Sequence, residues 1–435
     1  MTIVFKIRSW LAGEIIKKAA KAVIFRALGA VIGFILTLLI TREFGAEISG
    51  NYFFVVSLLV FIFPICSLGL SNAIVKEIAI QKGDDFFVSE YFTKSLAMSL
   101  LSIAVVIAII NFYVFTPASI IGVKHMIIVK NYMFIQIGIM CFSLMLLFSA
   151  YFQAISKINW SLLLLNTGYQ FLMIGLILFF PVKSLNALLS ILLVAMLCMV
   201  AISLFIYLRI DRYLFKWGAK VSMGRIFKLS LPMMFTQVIS QVGVFGAHFL
   251  LSIYGDAADI AVYSVCLRIA IIITFLSMVV NRIVAPKFAR LYSEGRMSEL
   301  IHLASSASKI LIVFSLGFLS LLFIFGREIL ELFGSEFISG YKSLLIIAVG
   351  QAVASVCGLA IYLLQMTGFH KDVLKGVACS AGLSIIAGMY LIPHYGVLGA
   401  AIMAFIMLVV TNIYALFIVK RKLNFKSHCE SPVNH

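Results

Sequence analysis

Two arginines and a short polar stripe are the residues of this sequence whose types and positions suggest chemistry. Arg26 and Arg268 stand inside long apolar stretches. A guanidinium keeps its charge when desolvated and donates in a planar fork that matches phosphate oxygens. Two of them in apolar surroundings point toward an anionic substrate. Gln237, Gln241 and His248 follow at i, i+4 and i+11, near one helix face, with Gly243 and Gly246 among them. Such a stripe reads either as the wall of a polar cavity or as hydrogen bonding between helices, and the sequence leaves both open. His248 can titrate with pH and would suit proton coupling, though a lone membrane histidine also serves as a structural group. Arg26 sits about 9 Å into its segment at 1.5 Å per residue, and Gly29, Gly33 and Thr37 follow it at helical spacing. That stripe fits a cavity face or a packing face. Ser264 lies one turn before Arg268. For both arginines the alternative is snorkelling to lipid headgroups, or, for Arg268, pairing with Asp256 and Asp259.

The elements that must position these groups follow from composition. Of 435 residues, 63% are hydrophobic and 12% charged, and mean hydropathy is +1.13. A soluble domain is about 45–50% apolar and about 25% charged, so this chain has bilayer, not water, as its solvent. A crossing helix needs about 20 apolar residues. Twelve such segments run near 20–40, 50–70, 95–115, 131–152, 160–180, 185–208, 229–252, 260–281, 310–326, 343–364, 374–392 and 397–419, the ninth being short. The predicted fold is an all-α polytopic membrane protein. None of the twelve segments contains Asp or Glu. The seven cysteines are scattered without a C-x-x-C pair and read as free thiols. No G-x-x-x-x-G-K-[ST] phosphate loop, nucleophile–base set or metal-ligand cluster is legible, so the expectation is a protein that is not an enzyme and has no cofactor. Energy would come from a gradient, with proton or sodium coupling left open.

Charge sets the orientation. With a cytoplasmic N-terminus, 26 of the 34 Lys and Arg fall on the inside and 6 on the outside, with Arg26 and Arg268 in the spans. This is a positive-inside pattern with both termini cytoplasmic. It also explains the net charge of +17 through anionic headgroups, with no nucleic acid partner. The chain also repeats itself at an offset of 211–212 residues. Tyr52 and Lys76 correspond to Tyr263 and Lys287, and Gln153 and Pro181 to Gln365 and Pro393. Six spans separate equivalent positions, so the expectation is two six-helix lobes, residues 1–212 and 213–435, related by a parallel pseudo-two-fold repeat. Transporters built from such repeats bind substrate near the repeat interface.

Four stretches carry a family resemblance. They are Phe44-Gly45 with Gly50-Asn51-Tyr52 and Leu68 to Ile74; Ala261 to Ser264, Arg268, Ala285-Pro286 and Leu291 to Ser293; Gly350-Gln351, Gly358 and Gln365 to Gly368; and Ile392 to Ala401. On these the chain resembles the Wzx-type O-antigen flippases, in the polysaccharide-transporter branch of the multidrug/oligosaccharidyl-lipid/polysaccharide exporter superfamily. The resemblance implies a central cavity between the lobes and a bacterial inner-membrane location. The implied substrate is an undecaprenyl-diphosphate-linked oligosaccharide carried from the cytoplasmic to the periplasmic leaflet. Membrane lipids and the polysaccharide polymerase and chain-length machinery are the implied partners. Alternatives are a lipid II flippase, whose family has longer chains with extra C-terminal helices, and a drug or cation antiporter, which would place carboxylates in its lobes. A membrane glycan polymerase or ligase would be expected to show a large periplasmic loop. The longest outside loop here spans about sixteen residues, 327–342.

Overall fold

The computed structural model describes residues 2–81, 84–116, 126–180, 182–210, 217–218, 221–367 and 369–429, without the side chains of 2–26 and of a few other helical residues. All regular structure among the described residues is helical. Helix α1 (Thr2–Cys66) covers the first two predicted spans and breaks at Gly45, with φ 70° and ψ 178°. Glycine alone enters that region without strain of about 1–3 kcal/mol. The break frees the Ala46 N–H from its helical acceptor, and Glu336 Oε2 accepts it at 3.0 Å. After a turn at Leu68 and Gly69, both of positive φ, come α2 (Leu70–Ile80) and α3 (Asp85–Phe115). Asp84 starts α3 by accepting the Phe87 N–H at 3.0 Å, as N-cap carboxylates do.

The chain continues with α4 (Tyr132–Ala154), a short helix Ile158–Leu162, a π turn Leu163–Thr167, α5 (Gly168–Phe179) and α6 (Leu185–Ile210). Next are α7 (Met223–Tyr254), α8 (Ala257–Ala270), α9 (Ile273–Ser293), α10 (Met297–Glu331), α11 (Tyr341–Met366), α12 (His370–Tyr395) and α13 (Val397–Cys429). Among the described residues, eight helices are long and apolar enough to cross a membrane, or ten when each of two bent pairs counts as one span. Counting α1 as two legs about Gly45, and Ile158–Phe179 as one segment, gives the twelve.

Four segments differ from expectation. The seventh is bent by 54° between Gln241 and Phe245, which parts Gln241 from His248 on the predicted stripe. The eighth is a broken span, with α8 and the first part of α9 bent by 46°. The fifth contains the π turn. The ninth is a 35-residue helix, because Leu300, Ala307 and Leu311 give its polar-looking start a buried face. The connection predicted at 282–309 is therefore mostly helix.

The chain forms two compact units, one of residues 1–44 and 54–238, the other of residues 45–53 and 239–435. In the first, α4 packs on α2, α3 and α6, around the buried rings of Phe92, Phe148, Tyr151 and Tyr207, with centroids 4.6–5.9 Å apart. In the second, α11 packs on α8, α9, α10 and α13, with Phe288, Leu311, Leu359 and Leu363 in one core cluster. The repeat is visible inside each unit. Met297, His370 and Val397 begin helices 212 residues after Asp85, Ile158 and Leu185, and Met366 ends one 212 residues after Ala154. The partners of α4 and the matching partners of α11 obey the same offset. Outward faces are apolar, as with Val313, Phe323 and Ile324 of α10, which are 73%, 69% and 63% exposed. A bilayer satisfies such a surface; water does not.

Candidate functional site

The predicted polar residues divide between the units. Arg26 and Gln237 belong to the first, and Gln241, His248 and Arg268 to the second. The Arg26 side chain lies outside the described residues. Gln237 is half-buried on α7, and its Nε2 lies 3.5 Å from Ser71 Oγ in the first turn of α2. Gln241 is half-buried one turn further on.

His248 is buried between α7 and α8. Its Nε2 lies 3.1 Å from Ser264 Oγ, and that hydroxyl donates to the Ile260 carbonyl at 2.7 Å. A serine has one proton to give, so His248 must donate through Nε2–H. The ring meets Tyr263 edge-on at 5.0 Å and Phe245 at 5.8 Å. The imidazole thus ties two helices of one unit together. Arg268 stands half-buried in the last turn of α8, one turn beyond Ser264. Asp259 lies in the first turn of that helix, about 13 Å away along the axis, where its carboxylate accepts the Asp256 N–H at 3.3 Å. The structure therefore brings His248 and Ser264 into contact and sets Arg268 beside them in sequence.

A second polar cluster escaped the sequence reading. Glu90 and Lys94 lie near the start of α3, ahead of the predicted third span, and are 0% and 5% exposed. Lys94 Nζ donates to Glu90 Oε1 at 2.7 Å, to the Gly218 carbonyl at 2.6 Å and to the Val221 carbonyl at 2.5 Å. The Val221 N–H returns a bond to Glu90 Oε1 at 3.0 Å, and the Trp217 ring lies 5.7 Å from the ammonium. The only sequence signal was the i, i+4 Glu–Lys spacing, which usually marks a solvated helix face. The apolar segments remain free of carboxylates, but the adjoining helix buries one.

A third group sits at the α9–α10 turn. Arg290 Nε meets Glu294 Oε1 at 2.6 Å, and Arg296 bridges Glu294 at 3.0 Å and Glu299 at 2.6 Å. The Arg290 and Arg296 guanidiniums hold the Glu294 carboxyl below the usual range, and Glu299 and Glu294 raise Arg296. Beside this turn Leu291, Ser298, Glu299, His302, Leu303 and Ser306 line an open groove of about 400 Å³. The one hydroxyl–imidazole contact among these groups, Ser264 with His248, has its serine proton on the Ile260 carbonyl. Their chemistry is hydrogen bonding and charge.

Comparisons with known proteins agree with this architecture. Residues 15–292 match the family described as polysaccharide biosynthesis protein. No curated protein matches the sequence. Among solved structures, the chain is similar to the lipid II flippase MurJ in an inward closed conformation, with TM-score 0.76 and 15% identity over 92% of this chain and 87% of that one. An inward-facing multidrug resistance MATE transporter of the MOP superfamily gives 0.66 and 14% over 92% and 96%. The MATE multidrug transporter DinF-BH gives 0.64 and 17% over 93% and 94%.

Proposed function

Because the chain belongs to the polysaccharide biosynthesis protein family, we propose that it is a flippase for undecaprenyl-diphosphate-linked oligosaccharide. It would carry the O-antigen-type repeat unit from the cytoplasmic to the periplasmic leaflet by alternating access. One observation carries the reading: a member of a polysaccharide-building family is almost wholly apolar helix. A protein so placed handles glycan at the bilayer, where the glycan is borne by lipid. The lipid tail stays in lipid, while the hydrated sugar and the diphosphate need a polar path. Arg26 and Arg268 would balance the phosphates, and Gln237, Gln241 and His248 would offer hydrogen bonds. A proton or sodium gradient would drive the cycle. The basic excess on one set of helix ends supports an inner-membrane protein with both termini cytoplasmic.

The test is a deletion strain complemented with the gene, analysed for surface glycan and for the leaflet of its lipid-linked repeat unit. Loss of surface glycan with the repeat unit held on the cytoplasmic leaflet is expected without the protein. Normal surface glycan in the deletion would overturn the reading. The greater likeness to the lipid II flippase than to the drug transporters favours one second reading, transport of lipid II itself. Rescue of cells depleted of their lipid II flippase would establish that instead.

A further inference from the structure

The ammonium of Lys94 has three N–H donors, and the first unit surrounds it with three acceptors: one Glu90 carboxylate oxygen and the carbonyls of Gly218 and Val221, all within 2.7 Å. One acceptor carries the balancing charge, and the other two belong to the stretch that leads into α7. That stretch and α3 are 124 to 127 residues apart in sequence. The Val221 N–H closes the ring on the same Glu90 oxygen. Gly218 leaves no free space for a side chain, since a Cβ there would lie 2.6 Å from Glu90 Oε2 and 3.0 Å from a Phe86 ring carbon, so the carboxylate or the loop would have to shift. Both charges are buried, so burial is balanced only while all partners stay in place.

We propose that this is a tethered-cation latch: an alkylammonium-binding cage of Glu90, Gly218 and Val221, filled by the chain's own Lys94, that fastens the entry to α7 onto α3. Lys94 and Glu90 are positioning residues. Their charges cancel where they stand and are not offered to a transported anion, so the latch is independent of the substrate assignment. A buried pair that served only the packing of α3 would sit i, i+4 along that helix and leave the loop carbonyls to water. Here two of three ammonium bonds and one carboxylate bond go to the loop.

Chemical rescue tests the cage. Lys94→Ala removes three methylene groups and the ammonium, which together make propylammonium. In the purified full-length variant, hydrogen exchange of the Val221 amide should rise about ten- to hundredfold, the loss of a charged hydrogen bond. Propylammonium should reverse most of that rise. Choline at equal ionic strength, a cation without N–H donors, should not. Unchanged exchange at 217–221, or equal reversal by both cations, would overturn the latch. If Lys94→Ala yields no folded protein, Gly218→Ala decides, because it leaves both charges in the chain and parts the loop from the carboxylate, whichever of the two shifts. Faster exchange confined to the loop and the start of α7 supports the proposal. Exchange at the wild-type rate there refutes it.

Discussion

The substitution Gly50→Ala tests how closely the second leg of α1 approaches α8. A Cβ at position 50 would lie 1.6 Å from the Ala257 carbonyl oxygen, 2.5 Å from its carbon and 3.2 Å from its Cα. Ordinary contact begins near 3.4 Å, so the backbones must part by about 1.8 Å. No side chain can rotate out of the way, because the obstacle is the first residue of α8, held by the Asp256–Asp259 turn. Overpacking costs about 1–3 kcal/mol, and rigid backbone on one side puts this site at the upper end. Alanine returns at most about 1 kcal/mol of helix propensity over glycine. The net is a loss of about 2 kcal/mol, near a thirtyfold change in the folded-to-unfolded ratio. The assay is thermal unfolding of the purified protein in one detergent, against Gly317→Ala and Gly382→Ala. Those helical sites have nothing within 4 Å of the added methyl and should melt at or above the wild-type temperature. If Gly50→Ala melts with these controls, the backbone contact between α1 and α8 is not there and the packing of the second unit needs redrawing.

Gly45→Ala should cost about 1–3 kcal/mol for a different reason: the space is open but the φ of 70° is not, and the same melting assay reads it. Arg26→Ala and Arg268→Ala should each lower surface glycan per inserted molecule about ten- to hundredfold in a deletion strain, with lysine restoring part and glutamate least. Normal export from both would make these arginines anchors. For Glu294 the sign follows from its lowered folded-state value. Its contribution is present above the unfolded carboxylate range and is lost as pH falls through the lower folded value. Corrected for the intrinsic rate, which itself falls with pH, amide protection at the α9–α10 turn should therefore drop in acid for wild type, and Glu294→Gln should be poorly protected already at neutral pH and show no such step.

What the sequence could reveal depended on whether the cause was local. Spans are local, since about 20 apolar residues are their own evidence, and all twelve predicted segments fall on helix. The break at Gly45 had a residue to mark it. The break after Ala270 had none, because Ile271 and Ile272 continue an apolar run. The start of α10 was missed because its apolar positions, Met297, Leu300 and Ala304 among charges, fall below any span threshold while still packing on the second unit's core. Glu90 and Lys94 were invisible as a site for a related reason. Their spacing looks like a solvated pair, and their burial depends on carbonyls more than 120 residues away. His248 is legible as a polar group on an apolar helix, but its partner Ser264 lies 16 residues away on another helix, where its nearest sequence neighbour of interest is Arg268.

The bond from the Ala46 amide to Glu336 joins positions 290 residues apart, and that spacing fixes an order of events during synthesis. A ribosome adds about 5–20 residues per second, so the amide waits about 15–60 s for its acceptor to be made. Ala257, against which Gly50 rests, also arrives late. Residues 45–53 belong to the second unit yet are made among the first. Until the later helices are made, the Ala46 amide lacks its carboxylate and the Gly50 face lacks Ala257. A nascent chain arrested before residue 336 therefore lacks the carboxylate that takes up the amide freed by the break at Gly45.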